Sequence, residues 1–158
     1  MKIKVREICF DMDGTIADLY AVENWLAKLR AEDASPYLEA APMWDMAELA
    51  EVLRAYQSAG GTVTVITWLS KDSSESYKDD VREAKKAWLE AQNFPFDHFH
   101  GVQYGATKAN SVRKFHNDGD NFLLIDDNAK VRQGWHLGEA IDPTAVDIIE
   151  VLRQLVEG

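Results

Sequence analysis

Two aspartates stand at the end of an apolar run, Ile8-Cys9-Phe10-Asp11-Met12-Asp13-Gly14-Thr15, and three later segments end in groups of matching chemistry. Val63-Thr64-Val65-Ile66-Thr67 stops at a hydroxyl, Lys108 follows, and Leu123-Leu124-Ile125-Asp126-Asp127 closes on two carboxylates. A nucleophilic carboxylate, a hydroxyl, an ammonium and further carboxylates are what phosphoryl transfer through an aspartate requires. A phosphate monoester is anionic and resists attack, so a covalent route through a positioned carboxylate divides one hard displacement into two easier ones. Apolar runs that end abruptly in polar groups also resemble buried parallel strands whose carboxyl ends open into a site. Each segment alone has a plainer explanation: an Asp-Gly turn for Asp11 and Asp13, a strand threonine for Thr67, a solvated lysine for Lys108, and helix capping ahead of residues 128–133 for Asp126 and Asp127.

The elements that must carry these groups alternate along the chain. Strand patterns fall at 7–10, 62–67, 99–103, 122–125 and, weakly, 139–141. Asp45 and Glu48 have capping-box spacing, Met46, Leu49, Ala50, Leu53 and Tyr56 form one apolar stripe, and Gly60-Gly61 ends that helix. A second helix runs from about Tyr77 through Val81, Ala84, Trp88 and Leu89 until Asn93 and Pro95, and a third starts near Thr107 and Lys108. Asp142-Pro143-Thr144 reads as an N-cap with proline at the first helical position, announcing a fourth. Alternating strands and helices predict a parallel sheet with right-handed crossovers.

Residues 18–44 break the rhythm: they are helix-like, show no strand, and interrupt the first crossover. Ser35-Pro36 can open a short helix and Ala41-Pro42 close it, so the expectation is two brief helices capping the carboxyl ends of the strands. No repeat or linker marks a further domain, and residues 1–158 read as one domain containing this cap.

Composition narrows the function classes. The 158 residues are 46% hydrophobic, enough for one sizeable core, and carry a net charge of -10. That charge argues against wrapping a long nucleic acid, whose affinity comes from Lys and Arg on phosphates; a small phosphorylated molecule needs only one cationic pocket. Cys9 is the single cysteine, so no internal disulfide is expected. The apolar stretch after Lys2, Lys4 and Arg6 is cut at Asp11, short of a signal-peptide core, and no run approaches membrane-helix length. The expectation is a soluble, cytoplasmic protein without a membrane partner.

Taken together, the Asp-x-Asp opening, the Thr, the Lys and the closing acidic pair resemble the haloacid dehalogenase-like superfamily of phosphatases, over the span from Ile8 to Asp127. The resemblance implies a three-layer Rossmann-like α/β fold, sheet order 5-4-1-2-3, with a small helical cap after strand 1. It also implies Asp11 as nucleophile, Asp13 as the acid that protonates the leaving oxygen and later takes a proton from water, and Mg²⁺ held by the Asp11 carboxylate, the Asp13 backbone carbonyl and Asp126. Asp127 either stands behind Asp126 or exchanges roles with it, because neighbouring strand residues face opposite ways. Thr67 and Lys108 hold the transferred phosphoryl group; a lysine at the start of a helix opposes the macrodipole, and a phosphate there would explain it. Asp13 favours a phosphate-ester hydrolase within the superfamily.

More locally, the short insertion, the Trp25-Leu26 segment, the Lys86-Ala87-Trp88-Leu89 helix and the Leu-Ile-Asp-Asp ending look like the 5′(3′)-deoxyribonucleotidase branch and its bacterial and phage relatives. Trp68 departs from the Ser often found after that Thr, which bears on substrate rather than reaction. Tyr20, Trp25, Trp44 and Trp68 are candidates for a leaving-group pocket, where a base could stack, or they glue the cap to the core. A sugar or other metabolite phosphatase, and a catalytically idle binding module, are the alternatives. His98, His100, His116 and His136 have no metal-ligand spacing with Cys9, Arg132 reads as a surface arginine, and the mixed-charge run 71–86 reads as a solvated loop and helix face.

Overall fold

The structure, a computed structural model, describes residues 5–115 and 121–158. Five strands form one parallel sheet: β1 (Glu7–Phe10), β4 (Thr62–Trp68), β5 (His98–Val102), β6 (Phe122–Ile125) and β7 (Ala140–Ile141). Their order is β5-β4-β1-β6-β7, so the first strand is central and the order reverses on either side of it. Numbered among these five alone and read from the β7 edge, the order is 5-4-1-2-3. His116 lies outside the described residues.

The register follows from side-chain alternation. Ile8 pairs with Val63 and Leu123, and Phe10 with Val65 and Ile125, so all six side chains emerge on one face. There they meet Leu49, Leu53 and Tyr56 of α3 (Met46–Ser58) and Ile148, Ile149 and Leu152 of α7 (Ile148–Glu157). Cys9, Ile66, Phe122 and Leu124 emerge on the other face, against Ala109 and Val112 of α5 (Lys108–Phe115). The result is three layers with both sheet faces covered. Removing one of these fully buried side chains, as in Leu53→Ala, would cost about 2–5 kcal/mol.

Asp45 caps α3 by accepting the Glu48 N–H at 3.1 Å, as the capping-box spacing predicts. The fourth helix starts later than expected. Asp142 accepts both the backbone N–H and the hydroxyl of Thr144, which closes a turn, and the N-cap of α7 is Asp147, bonded to the N–H groups of Ile149 and Glu150. A short Asp side chain serves either turn or cap, and sequence alone did not separate the two uses.

The segment between β1 and α3 also departs from expectation. It contains α1 (Trp25–Arg30) and α2 (Ser35–Glu39), yet it is bounded by a two-residue antiparallel ladder between β2 (Ala17–Asp18) and β3 (Ala41–Pro42). Two-residue strands leave no periodicity to read. Leu19 and Tyr37 of this segment pack with Leu69 and with Tyr77, Val81 and Ala84 of α4 (Glu75–Ala91).

Candidate active site

β1 hands the chain into a tight turn in which Met12 O accepts N–H bonds from Thr15, Ile16 and Ala17. Gly14 sits at φ +82°, and a Cβ there would strike the Asp127 carboxylate and the Tyr20 ring. Glycine therefore permits both the turn and the close approach of the β6 end to the β1 end. Because Phe10 is level with Ile125, Asp11 and Asp126 leave their strands side by side at the carboxyl edge of the sheet.

Lys108, at the first position of α5, bridges them. Its Nζ donates to Asp11 Oδ1 at 2.9 Å and to Asp126 Oδ2 at 2.7 Å, and its side chain is almost wholly buried. These two carboxylates give the lysine the reason that its place at a helix start demanded. Burial alone pushes the Asp11 carboxyl up, but the Lys108 charge and the hydrogen bonds from Lys108, Asp127 and Thr15 outweigh it and hold Asp11 below the ordinary aspartate value. Burial likewise opposes the Lys108 charge, and its two aspartates overcome this and raise its pKa.

Thr15, fully buried, donates to Asp11 Oδ2 at 3.0 Å and accepts the Asp127 N–H at 3.2 Å. Sequence reasoning gave Thr15 no role. Asp126 and Asp127 lie beyond the end of β6, so strand alternation no longer separates them, contrary to expectation. One carboxylate oxygen from each of Asp11, Asp126 and Asp127 lies within 4.8 Å of the others. Three anionic oxygen donors suit a hard divalent cation such as Mg²⁺ and not a soft one. Burial and the neighbouring Asp11 and Asp126 push Asp127 up to about 7, and burial with Asp11 raises Asp126 against the pull of Lys108. The helix-capping explanation for the acidic pair gives way: the cap of α6 (Ala129–Gln133) is Asn128, which accepts from Lys130 and Val131.

Asp13 and Thr67 are joined by a residue that the charged run had placed on a solvated helix face. Lys85 of α4 is fully buried, and its Nζ donates to Asp13 Oδ2 at 3.0 Å, Thr67 Oγ1 at 2.7 Å and Trp68 O at 3.1 Å. The missed signal is its spacing: Tyr77, Val81, Lys85 and Leu89 recur every four residues, which puts a lysine on the apolar stripe. Asp13 is raised by burial, with Asp11 adding to the rise and Lys85 opposing it. Arg132, read from sequence as a surface arginine, donates to Asp126 O at 3.0 Å and pairs with Asp142 at 3.5 Å.

Asp11, Asp13, Thr67, Lys108, Asp126 and Asp127 line one cavity of about 500 Å³. Its apolar lining includes Leu19, Tyr20, Trp25, Leu26 and Tyr37 of the insertion, together with Trp68 and Tyr104. Tyr20 and Trp25 meet edge to face at 5.1 Å, and Trp68 and Tyr104 are also 5.1 Å apart. Trp44 is not among the lining residues: its indole N–H donates to Thr15 O at 2.8 Å and its ring packs on the core, so it belongs to the glue and not to the pocket. His98 and His100 stack on each other on β5, away from the cavity lining.

Among the described residues, no helix is long and apolar enough to cross a membrane. No protein-family model and no curated protein sequence matches the chain. Among solved structures, the D,D-heptose 1,7-bisphosphate phosphatase from Burkholderia thailandensis superposes with a TM-score of 0.58, covering 97% of this chain and 99% of its own, at 12% identity. An identity that low speaks to fold alone, and an α/β fold is what the chain shares with that phosphatase.

Proposed function

We propose that this protein is a divalent-metal-dependent phosphomonoesterase of the haloacid dehalogenase-like superfamily, working through an aspartyl phosphate on a small phosphorylated metabolite. The carrying observation is the meeting of Asp11, Asp13, Thr67 and Lys108 with the acidic pair in one cavity at the carboxyl edge of the sheet. Asp11 attacks phosphorus as its pKa leaves it ionised, and the bond from phosphorus to the ester oxygen breaks. Asp13, whose raised pKa suits an acid, gives its proton to that oxygen. Asp13 then takes a proton from a water that attacks the phosphorus of the aspartyl phosphate, releasing inorganic phosphate and restoring the Asp11 carboxylate and the protonated Asp13. Lys108 and the Thr67 hydroxyl hold the phosphoryl oxygens as charge shifts between them. The Asp11, Asp126 and Asp127 carboxylates, with the Asp13 backbone carbonyl, would hold Mg²⁺, which supplies positive charge to offset nucleophile–substrate repulsion.

For substrate we propose a nucleoside monophosphate of the 5′(3′)-deoxyribonucleotidase type. Support comes from the aromatic lining by Tyr20, Trp25, Tyr37, Trp68 and Tyr104, which offers faces for a base. Residues 18–44 act as the cap that selects it within one 158-residue domain. A screen of nucleotides, sugar phosphates and 4-nitrophenyl phosphate with Mg²⁺ tests the reading. Nucleotide hydrolysis above the rest supports it, faster sugar-phosphate hydrolysis moves the substrate, and binding without turnover on any ester overturns the enzyme.

A further inference from the structure

An ammonium carries three donors, and Lys85 spends all three on Asp13 Oδ2, Thr67 Oγ1 and Trp68 O, with the Tyr37 ring 5.1 Å from its nitrogen. A charge removed from water is tolerated when each donor is matched in this way. No donor is left for a ligand, so Lys85 can act on a reaction only through the groups it holds. The two groups it joins come from different strands: Asp13 from the turn after β1, Thr67 from the end of β4.

What the bonds do to those groups is specific. A hydroxyl has one proton and two lone pairs, and one lone pair of Thr67 is taken by Lys85. The acceptor near the Thr67 proton is Trp68 O at 3.5 Å, too long for a strong bond, so the proton remains available to an anion in the cavity. On Asp13, Lys85 fixes Oδ2 and leaves the second oxygen outside that bond, on a residue that lines the cavity. Lys108 makes no bond to either group; it serves Asp11 and Asp126.

We propose that Lys85 is a positioning residue that, from one buried ammonium, aligns the Asp13 carboxyl with the leaving-group end of the substrate and turns the Thr67 hydroxyl outward as a donor to the phosphoryl end. The role rests on the phosphomonoesterase reading above. The two buried cations then have separate partners, Lys108 bonding Asp11 and Asp126, and Lys85 the acid and the phosphate-binding hydroxyl.

The test uses Lys85→Met, with Lys85→Gln where the Met protein does not fold, on phosphate monoesters of graded leaving-group acidity. Expected is a fall in kcat of about 10–100-fold on alkyl phosphates, the scale for removing a partner that orients an active group. The loss on 4-nitrophenyl phosphate is expected to be much smaller, because a good leaving group needs little protonation. Asp13→Asn shares this dependence, and adding Lys85→Met to Asp13→Asn adds only the smaller loss, alike on every ester, that comes through the Thr67 hydroxyl. Equal losses on every ester, multiplying in the double variant, overturn the proposal.

Two readouts are independent of turnover. A crystal structure of the variant should show Asp13 and Thr67 in new rotamers, and unchanged rotamers overturn the role. In the wild-type protein, the Lys85 ammonium should exchange its protons slowly by ¹⁵N NMR, and exchange at the rate of surface lysines overturns it. A wild-type protein that hydrolyses no ester would instead sink the phosphomonoesterase reading, while the rotamers and the exchange rate still decide what Lys85 holds.

Discussion

The floor and the aromatic wall of the cavity are built by opposite means. In the floor, Asp11, Thr15, Thr67, Lys85, Lys108 and Asp126 are buried, and among the described residues no buried side-chain nitrogen or oxygen lacks a partner. The wall from the insertion has little such support: α1 buries no residue and has no side-chain cap, and Tyr20 is 54% exposed. The floor is preorganised, as electrostatic stabilisation of a transition state requires, whereas the wall is held by a two-residue ladder, one small apolar cluster and two hydrogen bonds from α4, Tyr77 to Asp33 O and Trp88 to Ala40 O. On the proposed function, chemistry belongs to the floor and discrimination to the wall, and substitutions should separate the two.

The largest effect belongs to Asp11, the proposed nucleophile. Asp11→Asn keeps shape and leaves Asp126 to pair Lys108, so the protein should fold normally by circular dichroism while kcat falls by about 10⁴-fold or more. Lys108→Met comes next, with a loss in kcat/KM of about 10²–10³-fold, the scale for removing one fixed charge-stabilising donor. It should also lower stability by about 3 kcal/mol in chemical denaturation, because two buried carboxylates lose their shared cation.

Changes to the wall should be smaller and selective. Trp25→Ala should raise KM for nucleotides and lower kcat/KM by roughly fivefold to a hundredfold, the worth of one base stacked on a ring, with far less effect on a small aryl phosphate. Trp44→Ala is the control: it should cost about 2 kcal/mol in stability through lost packing and the lost bond to Thr15 O, and slow all esters alike. If Trp25→Ala behaved as Trp44→Ala does, the division between floor and wall would fail.

The smallest effect is a pH dependence. Asp127 has its folded pKa raised to about 7, above the unfolded carboxylate value, so the fold favours its protonated form. That contribution is lost as pH rises through about 7, and with chelator present Asp127→Asn should raise Tm at pH 8, with the gain shrinking below pH 7 and gone near pH 4. A Tm gain independent of pH would show that Asp127 carries no such strain.

Strands β1, β4 and β6 were legible because two-sided burial writes continuous apolar runs, and each ends at or beside a polar group that sequence reasoning could name. Asp11, Asp13, Thr67 and Asp126 converge for that reason, and Lys108 joins them from the start of α5. Lys85 escaped because a lysine in a charged run is usually solvated, and only its spacing with Tyr77, Val81 and Leu89 marked it. Thr15 escaped because a hydroxyl after Asp-Gly looks like turn chemistry, and its bond to Asp11 depends on how the turn folds back. Trp44 and Trp25 could not be told apart in sequence, since both are aromatic and adjacent to the insertion. The β2–β3 ladder and the Asp142 turn are decided by backbone bonds of two or three residues, too few to leave a pattern.

The central claim is that Asp11 carries the phosphoryl group, and rapid quenching of a single turnover followed by borohydride reduction and peptide mass spectrometry tests it directly. An acyl phosphate at Asp11 converts to homoserine at that position, and this product should appear and decay at rates consistent with turnover. Hydrolysis at the full rate with Asp11 recovered unmodified, or with the label on another residue, would contradict the account.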